Sequence, residues 1–413
     1  MNRITKQRYL AATAFAGALF FSAGAANATT TDTLDISAGA GFSSNPRLRI
    51  TNVQSSGFAR ISAYGNHTWK NERSSASIHG YIENTSYLKN YGSQRIFSLG
   101  ADTTYTVSPT LSLYGNLDFY GDLNGQLSNR LIAVPSGPPV TDPNNPLPPV
   151  PAIPGVIGFS GHQYRLYGQV GASIRSSERS TISVTAGAQR SWFTANPDFD
   201  YNSYFGSLGY SLELSERTSI GPTVFVQYQD FTHGDSATIV NPVATVHTQL
   251  SESVVADAAV GILLLHQDRN GQTSNTVSPS FNGSICSQGT ISRLCAHVAH
   301  DARSALNSGL ITGGSKSSIT TTAGVDYYRQ LSEDATIQAS LYATRYSAST
   351  SGINGQSLHT TYLSGVAGYD RKVGHRLYAG ISGGVRNLFQ SGPDPRADLN
   401  ANIYLRYRFG DIQ

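Results

Sequence analysis

The sequence predicts an all-β chain, a transmembrane antiparallel up-and-down β-barrel of about 16 strands, with 14 to 18 allowed. Three observations carry this class: charge is scarce without any helix-length apolar run, apolar and polar residues alternate, and the connections sort into short and long ones. Of 413 residues, 39% are hydrophobic and 13% charged, about half the ~25% charge of a soluble globular protein. Gly (41), Tyr (23) and Phe (16) are abundant, whereas Met (1), Cys (2) and Trp (2) are scarce. The mean hydropathy is negative, which excludes a bundle of membrane helices, since each span needs about 20 mostly apolar residues. A net charge of +3 gives no ground for a nucleic-acid partner.

The first element is an export signal. Arg3, Lys6 and Arg8 precede an apolar run from Leu10 to Phe21, and Ala26-Asn27-Ala28 supplies a small-x-small cleavage site. The run is too short to span a bilayer. Cleavage is expected before Thr29, leaving 1–28 as a signal for the general secretory pathway and 29–413 as the barrel.

The expected strands follow in order. Strand 33–43 is glycine-rich, and 57–70 and 74–88 flank the polar turn Asn71-Glu72-Arg73. Strands 94–107 and 110–122 flank Ser108-Pro109, and the second sets Leu111, Leu113, Leu117 and Phe119 against Ser112, Tyr114, Asn116, Asp118 and Tyr120. Strand 162–176 alternates Tyr164, Leu166, Val170, Ala172 and Ile174 with Gln163, Arg165, Tyr167, Gln169, Ser173 and Arg175. It turns at Ser177-Glu178-Arg179 into 180–193, and 200–214 and 218–231 flank Ser215-Glu216-Arg217. Next come 243–251 and 254–267; the latter holds the most apolar run, Ala258–Leu265, whose second face is expected to meet a plug or a packed interior. Strands 317–331 and 335–348 flank Ser332-Glu333-Asp334, and 358–372, 375–389 and 396–409 complete the set. The last strand is the clearest, with Ala397, Leu399, Ala401, Ile403, Leu405, Tyr407 and Phe409 on one face and Asp398, Asn400, Asn402, Tyr404, Arg406 and Arg408 on the other.

Long connections (44–56, 89–93, 123–161, 194–199, 232–242, 268–316, 349–357, 390–395) alternate with tight polar ones. Short turns at one end and longer loops at the other are the pattern of a Gram-negative outer-membrane barrel, with the short turns periplasmic. Lipid offers no partner to a free backbone group, so the first strand is expected to close on the last. The partners this implies are outer-membrane lipid and the barrel-assembly machinery; no cofactor is implied.

Two loops carry unusual residues. Pro135, Pro138, Pro139, Pro143, Pro146, Pro148, Pro149, Pro151 and Pro154 keep 123–161 out of any sheet. This loop is read either as a surface excursion or as a segment that narrows the pore. Cys286 and Cys295 fall in 268–316 and are most simply a disulfide in an exported protein, placed here in an outer loop. The alternative, a metal set of Cys286, Cys295, His297 and His300, has no familiar zinc spacing.

No enzyme is expected. Gly380-Ile381-Ser382-Gly383-Gly384 has the letters of a nucleophile elbow, but no strand-to-helix turn surrounds it and no histidine follows His375. His67 and His79, on neighbouring strands, complete no catalytic constellation.

Strand parity sends a polar, tyrosine-rich set to the inner wall: Asp35, Arg60, Tyr64, Glu83, Asp102, Tyr114, Asp118, Arg165, Tyr167 and Arg175 in the first half of the barrel. Glu213, Asp257, Asp326, Tyr342, Asp370, Arg386, Tyr404, Arg406 and Arg408 follow in the second half. Polar groups are costly against lipid, so this wall implies a wet lumen. Acids and arginines are mixed, which predicts no strong ion preference. The leading expectation is a channel for small hydrophilic solutes. The alternatives are a polysaccharide-export barrel working with periplasmic and inner-membrane partners, and a plugged barrel with a structural or enzymatic role.

The architecture resembles bacterial outer-membrane barrels of the porin type. The opening Gly39-Ala40-Gly41-Phe42-Ser43-Ser44-Asn45-Pro46 is similar to that of the β-barrel porin-2 group, which begins with a glycine-rich strand and an Asn-Pro or Asp-Asn step. That resemblance implies an outer-membrane channel and, for some members, an association with exopolysaccharide export.

Overall fold

The computed structural model describes residues 29–48, 51–89, 91–122, 162–194, 200–232, 234–269, 271–304, 317–349, 357–390 and 397–410. The expected signal 1–28 and the prolines from Pro135 to Pro154 lie outside the described residues.

The described chain is all strand. In order it forms β1 (Thr29–Ser43), β2 (Ser56–Lys70), β3 (Ser74–Tyr87), β4 (Ser93–Ser108), β5 (Leu111–Asp122) and β6 (Gln163–Ser177). Then come β7 (Ser180–Phe193), β8 (Tyr201–Ser215), β9 (Thr218–Phe231), β10 (Ser236–Ser251), β11 (Val254–Arg269) and β12 (Gln272–Gln288). The rest are β13 (Ser292–Ser304), β14 (Ser317–Ser332), β15 (Ala335–Ser349), β16 (Ser357–Lys372), β17 (Leu377–Gln390) and β18 (Asp398–Gly410). Each pairs antiparallel with the next, and β1 pairs with β18 from Thr33↔Gly410 to Ser43↔Asn400, closing one 18-stranded sheet.

Contacts that skip a strand identify the concave face. Tyr114 on β5 hydrogen-bonds Thr185 on β7 at 2.6 Å, and Arg406 on β18 pairs with Asp370 on β16. Side chains of next-nearest strands converge only on the inside of a closed sheet. The opposite face is apolar and exposed, with Leu34, Ile61, Ile82, Leu99, Val170, Leu208, Val260, Leu341 and Ile403. Aromatic residues bound this band. At the long-loop end Phe97, Phe119, Tyr164 and Trp192 form a file of rings with successive centroids 5.4, 6.4 and 5.6 Å apart. At the short-turn end stand Tyr105, Tyr210, Tyr407 and Phe409. Eight residues of β4, about 27 Å along a tilted strand, separate Phe97 from Tyr105, the scale of a bilayer-spanning apolar band.

Five of the short turns share one construction. At Ser108, Ser177, Ser215, Ser251 and Ser332 the serine hydroxyl accepts the N–H two residues on, at 3.3 Å in each case. The ladder shifts register just before each of these serines. A bulge followed by a serine turn lets a two-residue link reverse a twisted hairpin.

Two strands exceed the sixteen read from the sequence, and both come from the expected loop 268–316. β11 ends at Arg269 and β12 begins at Gln272, with Gly271 just before it at φ +76°; the sequence Asn-Gly at 270–271 is the strongest short-range hairpin signal. β12 is serine-rich and carries Pro279, which masks its alternation; Pro279 lies before the stretch of β12 that pairs with β13, so its missing N–H costs no ladder bond there. β10 also begins at Ser236, not at 243. Pro242 falls where the β10–β11 ladder is interrupted between Val240 and Val243.

Candidate lumen

The inner face is best built outward from the seam where β18 meets β1. Near the long-loop end, Asp398 is fully buried and accepts hydrogen bonds from Ser43 Oγ (2.6 Å) and the Asn45 backbone N–H (2.9 Å). Arg386 on β17 donates to Asp398 through Nη2 (2.6 Å) and Nε (3.1 Å), and to the Pro46 carbonyl (3.1 Å). The Ser43-Ser44-Asn45-Pro46 step is thus the piece of the first loop that is pinned to the seam.

A second ionic group lies toward the short-turn end. Arg408 grips Asp35 with two bonds of 2.7 Å. Arg406, 4% exposed, lies 3.6 Å from Asp35 and also bonds Asp370, with its guanidinium 4.7 Å from the centre of the Tyr378 ring. Tyr404 shares this face of β18, two residues before Arg406. Arg60 lies 3.5 Å from Glu83 across β2–β3, with Tyr64 on the same face of β2.

Away from the seam the wall is wetter and its carboxylates meet histidines. His79 stands between Asp102 (3.4 Å) and Asp118 (3.7 Å), His247 beside Asp257 (2.6 Å), and His297 beside Asp326 (3.6 Å), which also accepts from Tyr342 and Ser340. The side chains of Asp102, Asp118 and Asp326 remain 54%, 41% and 41% exposed. Arg165 sits over the Tyr120 ring at 5.6 Å, and Arg175 and Glu213 occupy the same face near the short turns.

Sequence reading missed three features of this face. The first is the histidine partners, which only the register reveals. The second is the set of partners that meets the second face of Ala258–Leu265, where a plug or packed interior was expected: a buried apolar cluster of Phe193, Phe231, Ala237, Ile239, Leu263 and Leu265, with Tyr201 packed against it. It covers the inner face of β7–β11 near the long loops, and its trace in the sequence is the loss of alternation in Ala258–Leu265. The third is the pair Phe205 and Phe225, which continues the ring of Tyr167 along the wall.

Cys286 and Cys295 are disulfide-bonded, with Cα atoms 4.1 Å apart. Their place differs from the outer loop expected: they face each other across β12–β13, next to the short turn at 289–291. His297 faces inward with Asp326, whereas His300 stacks on Phe281 and bonds Thr321 at 2.8 Å, so the four do not form a metal set. Among the described residues no group of three or more His, Cys, Asp or Glu is placed to hold a metal. The bond closes a short ring within an already paired hairpin, so a Cys286→Ser/Cys295→Ser variant should still assemble and lose at most about 2–3 kcal/mol. Heat-modifiable gel mobility and a urea titration check this.

The letters Gly380-Ile381-Ser382-Gly383-Gly384 lie inside β17, where Ser382 bonds Asn402 of β18 instead of standing on a strand-to-helix turn. His67 and His79 point to opposite faces, His67 outward beside Asp32 and Trp69.

No protein-family model matches the chain, and no curated protein sequence does either. Solved structures of similar shape include Acinetobacter baumannii OccAB3, at 7% identity and TM-score 0.45, covering 92% of this chain and 99% of that one. Pseudomonas aeruginosa OccK2 (OpdF) in complex with glucuronate is similar at 8% identity and TM-score 0.46, covering 93% and 98%. The FrpB iron transporter from Neisseria meningitidis gives 6% identity and TM-score 0.46, covering 91% and 81%.

Proposed function

We propose that this chain is an outer-membrane channel that passes small hydrophilic solutes. The observation that carries the reading is the contrast between the two faces of one closed sheet. The outer face is apolar and framed by aromatic rings, which suits lipid. The inner face holds carboxylates that remain up to 54% exposed, and such groups persist only beside water. In this reading the short serine turns are periplasmic and the long connections face outward. No inner-wall group is assigned a catalytic role.

Purified protein in planar lipid bilayers should show steady, ohmic single-channel conductance. A protein that inserts but stays electrically silent contradicts an open channel.

A further inference from the structure

We propose that the inner wall over β6–β9 is a stacking track for neutral carbohydrate, a deepening that rests on the channel reading above. Tyr167, Phe205 and Phe225 lie on the inner face of β6, β8 and β9. The Tyr167 and Phe205 rings are 5.5 Å apart at 12°, and Phe205 and Phe225 are 6.3 Å apart at 29°. Three near-parallel rings in file, all half-buried, form one surface and not three separate contacts.

The intervening strands make room for this stack. Gly187 of β7 lies beneath Phe205, and a side chain there would strike the ring. Gly171 of β6 leaves the same room beneath Tyr114, whose hydroxyl reaches on to Thr185. A ring that leans over a glycine occupies room that any side chain there would fill.

The register sets the path. Tyr167 is aligned with Gln189, Phe205 with Gly187, and Phe225, through Ser207, with Thr185. The aligned backbone positions therefore step down β7 by two residues at a time, about 13 Å over the two steps, and the rings lean together within that span. On β6–β9 these three rows contain no charged side chain. They do contain amides: Gln169 accepts from the Tyr167 hydroxyl at 2.5 Å, Gln189 donates to Tyr201 at 2.6 Å and Ser191 at 3.3 Å, and Gln227 donates to Ser203 at 2.7 Å. A primary amide has two donors and two lone pairs, so each keeps capacity for a solute.

A pyranose fits this combination. Its C–H face packs on aromatic rings while its rim of hydroxyls needs neutral donors and acceptors. Charge enters these rows only at their β5 edge, where Asp118 is aligned with Tyr167 and already faces His79, and a planar aromatic solute would leave the amides unused.

The test is single-channel recording in planar bilayers with a linear six-unit glucose oligomer as probe. Wild-type channels should show brief current blocks whose frequency rises with oligomer concentration, whereas polyethylene glycol of similar size, lacking ring faces, gives none. A Tyr167→Leu/Phe205→Leu variant keeps apolar bulk but loses the ring faces; its conductance should persist while block lifetime falls about tenfold. Phe205→Tyr should retain the block. The track is overturned by conducting channels that the oligomer does not block, by blocks of unchanged lifetime in the double variant, or by block with benzoate and none with the oligomer. A silent bilayer overturns the channel reading itself, so the two failures are distinct.

Discussion

Asp398→Ala should be among the most damaging single substitutions in this chain, costing about 3–5 kcal/mol. The reason is that it strips the countercharge from a guanidinium buried in the barrel wall. Arg386 is 4% exposed and Asp398 not at all. The same carboxylate also holds Ser43 and the Asn45 N–H, so its loss frees the end of β1 where the sheet closes. Urea titration of the folded protein in detergent, read by Trp fluorescence, measures the loss, and boiled against unboiled gel mobility reports on closure. Asp398→Asn, which keeps acceptor and donor atoms in place, should fall between wild type and alanine. An Arg386→Met/Asp398→Leu variant, with both charges gone, should be milder than Asp398→Ala alone. An unchanged urea midpoint for Asp398→Ala would refute the seam as a stabilising element.

The second large effect is expected from Leu263→Ala. Leu263 is 1% exposed and packs with Ile239, also 1% exposed, in the inner cluster. Removing three carbons there should cost about 2–5 kcal/mol, since transfer and cavity terms add. Its neighbour Leu264 points to the other face and is 42% exposed; Leu264→Ala should cost less than about 1.5 kcal/mol, lipid or detergent filling the gap. Equal losses at 263 and 264 would contradict the facing of β11.

The contrast at Leu263 and Leu264 also marks where the sequence stops being readable. In β18 every second residue is apolar, so both faces and the strand length follow from alternation alone. In β11 both faces are apolar between Ala258 and Leu265, and the pattern cannot say what covers the inner one. In β12 the outward set includes Pro279 and Gly283 against a serine-rich inner set, so polarity hardly changes from one residue to the next. The same blindness placed the cysteines in a loop, although Asn270-Gly271 announced a hairpin. The pairing of His79 with Asp102 and Asp118, or of Phe205 with Tyr167, depends on register between strands, which no single segment encodes.

The bond between Asp35 and Arg408 spans 373 positions of the chain. That separation has a kinetic meaning. Every other neighbouring strand pair can form by local zippering, but the last ladder must wait until both termini have been delivered and brought together. Until then β1 and β18 each present an open edge, a template for pairing with other chains. Such non-local closure is slow because the loop entropy is spent before any contact is gained. Acid–arginine contacts across this joint, from Asp35 to Arg408 and Arg406, act over a longer range than backbone hydrogen bonds and give the two ends a register to find. A stopped-flow comparison should show Arg408→Gln slowing refolding more than it speeds unfolding, which is the signature of a contact already formed at the rate-limiting barrier.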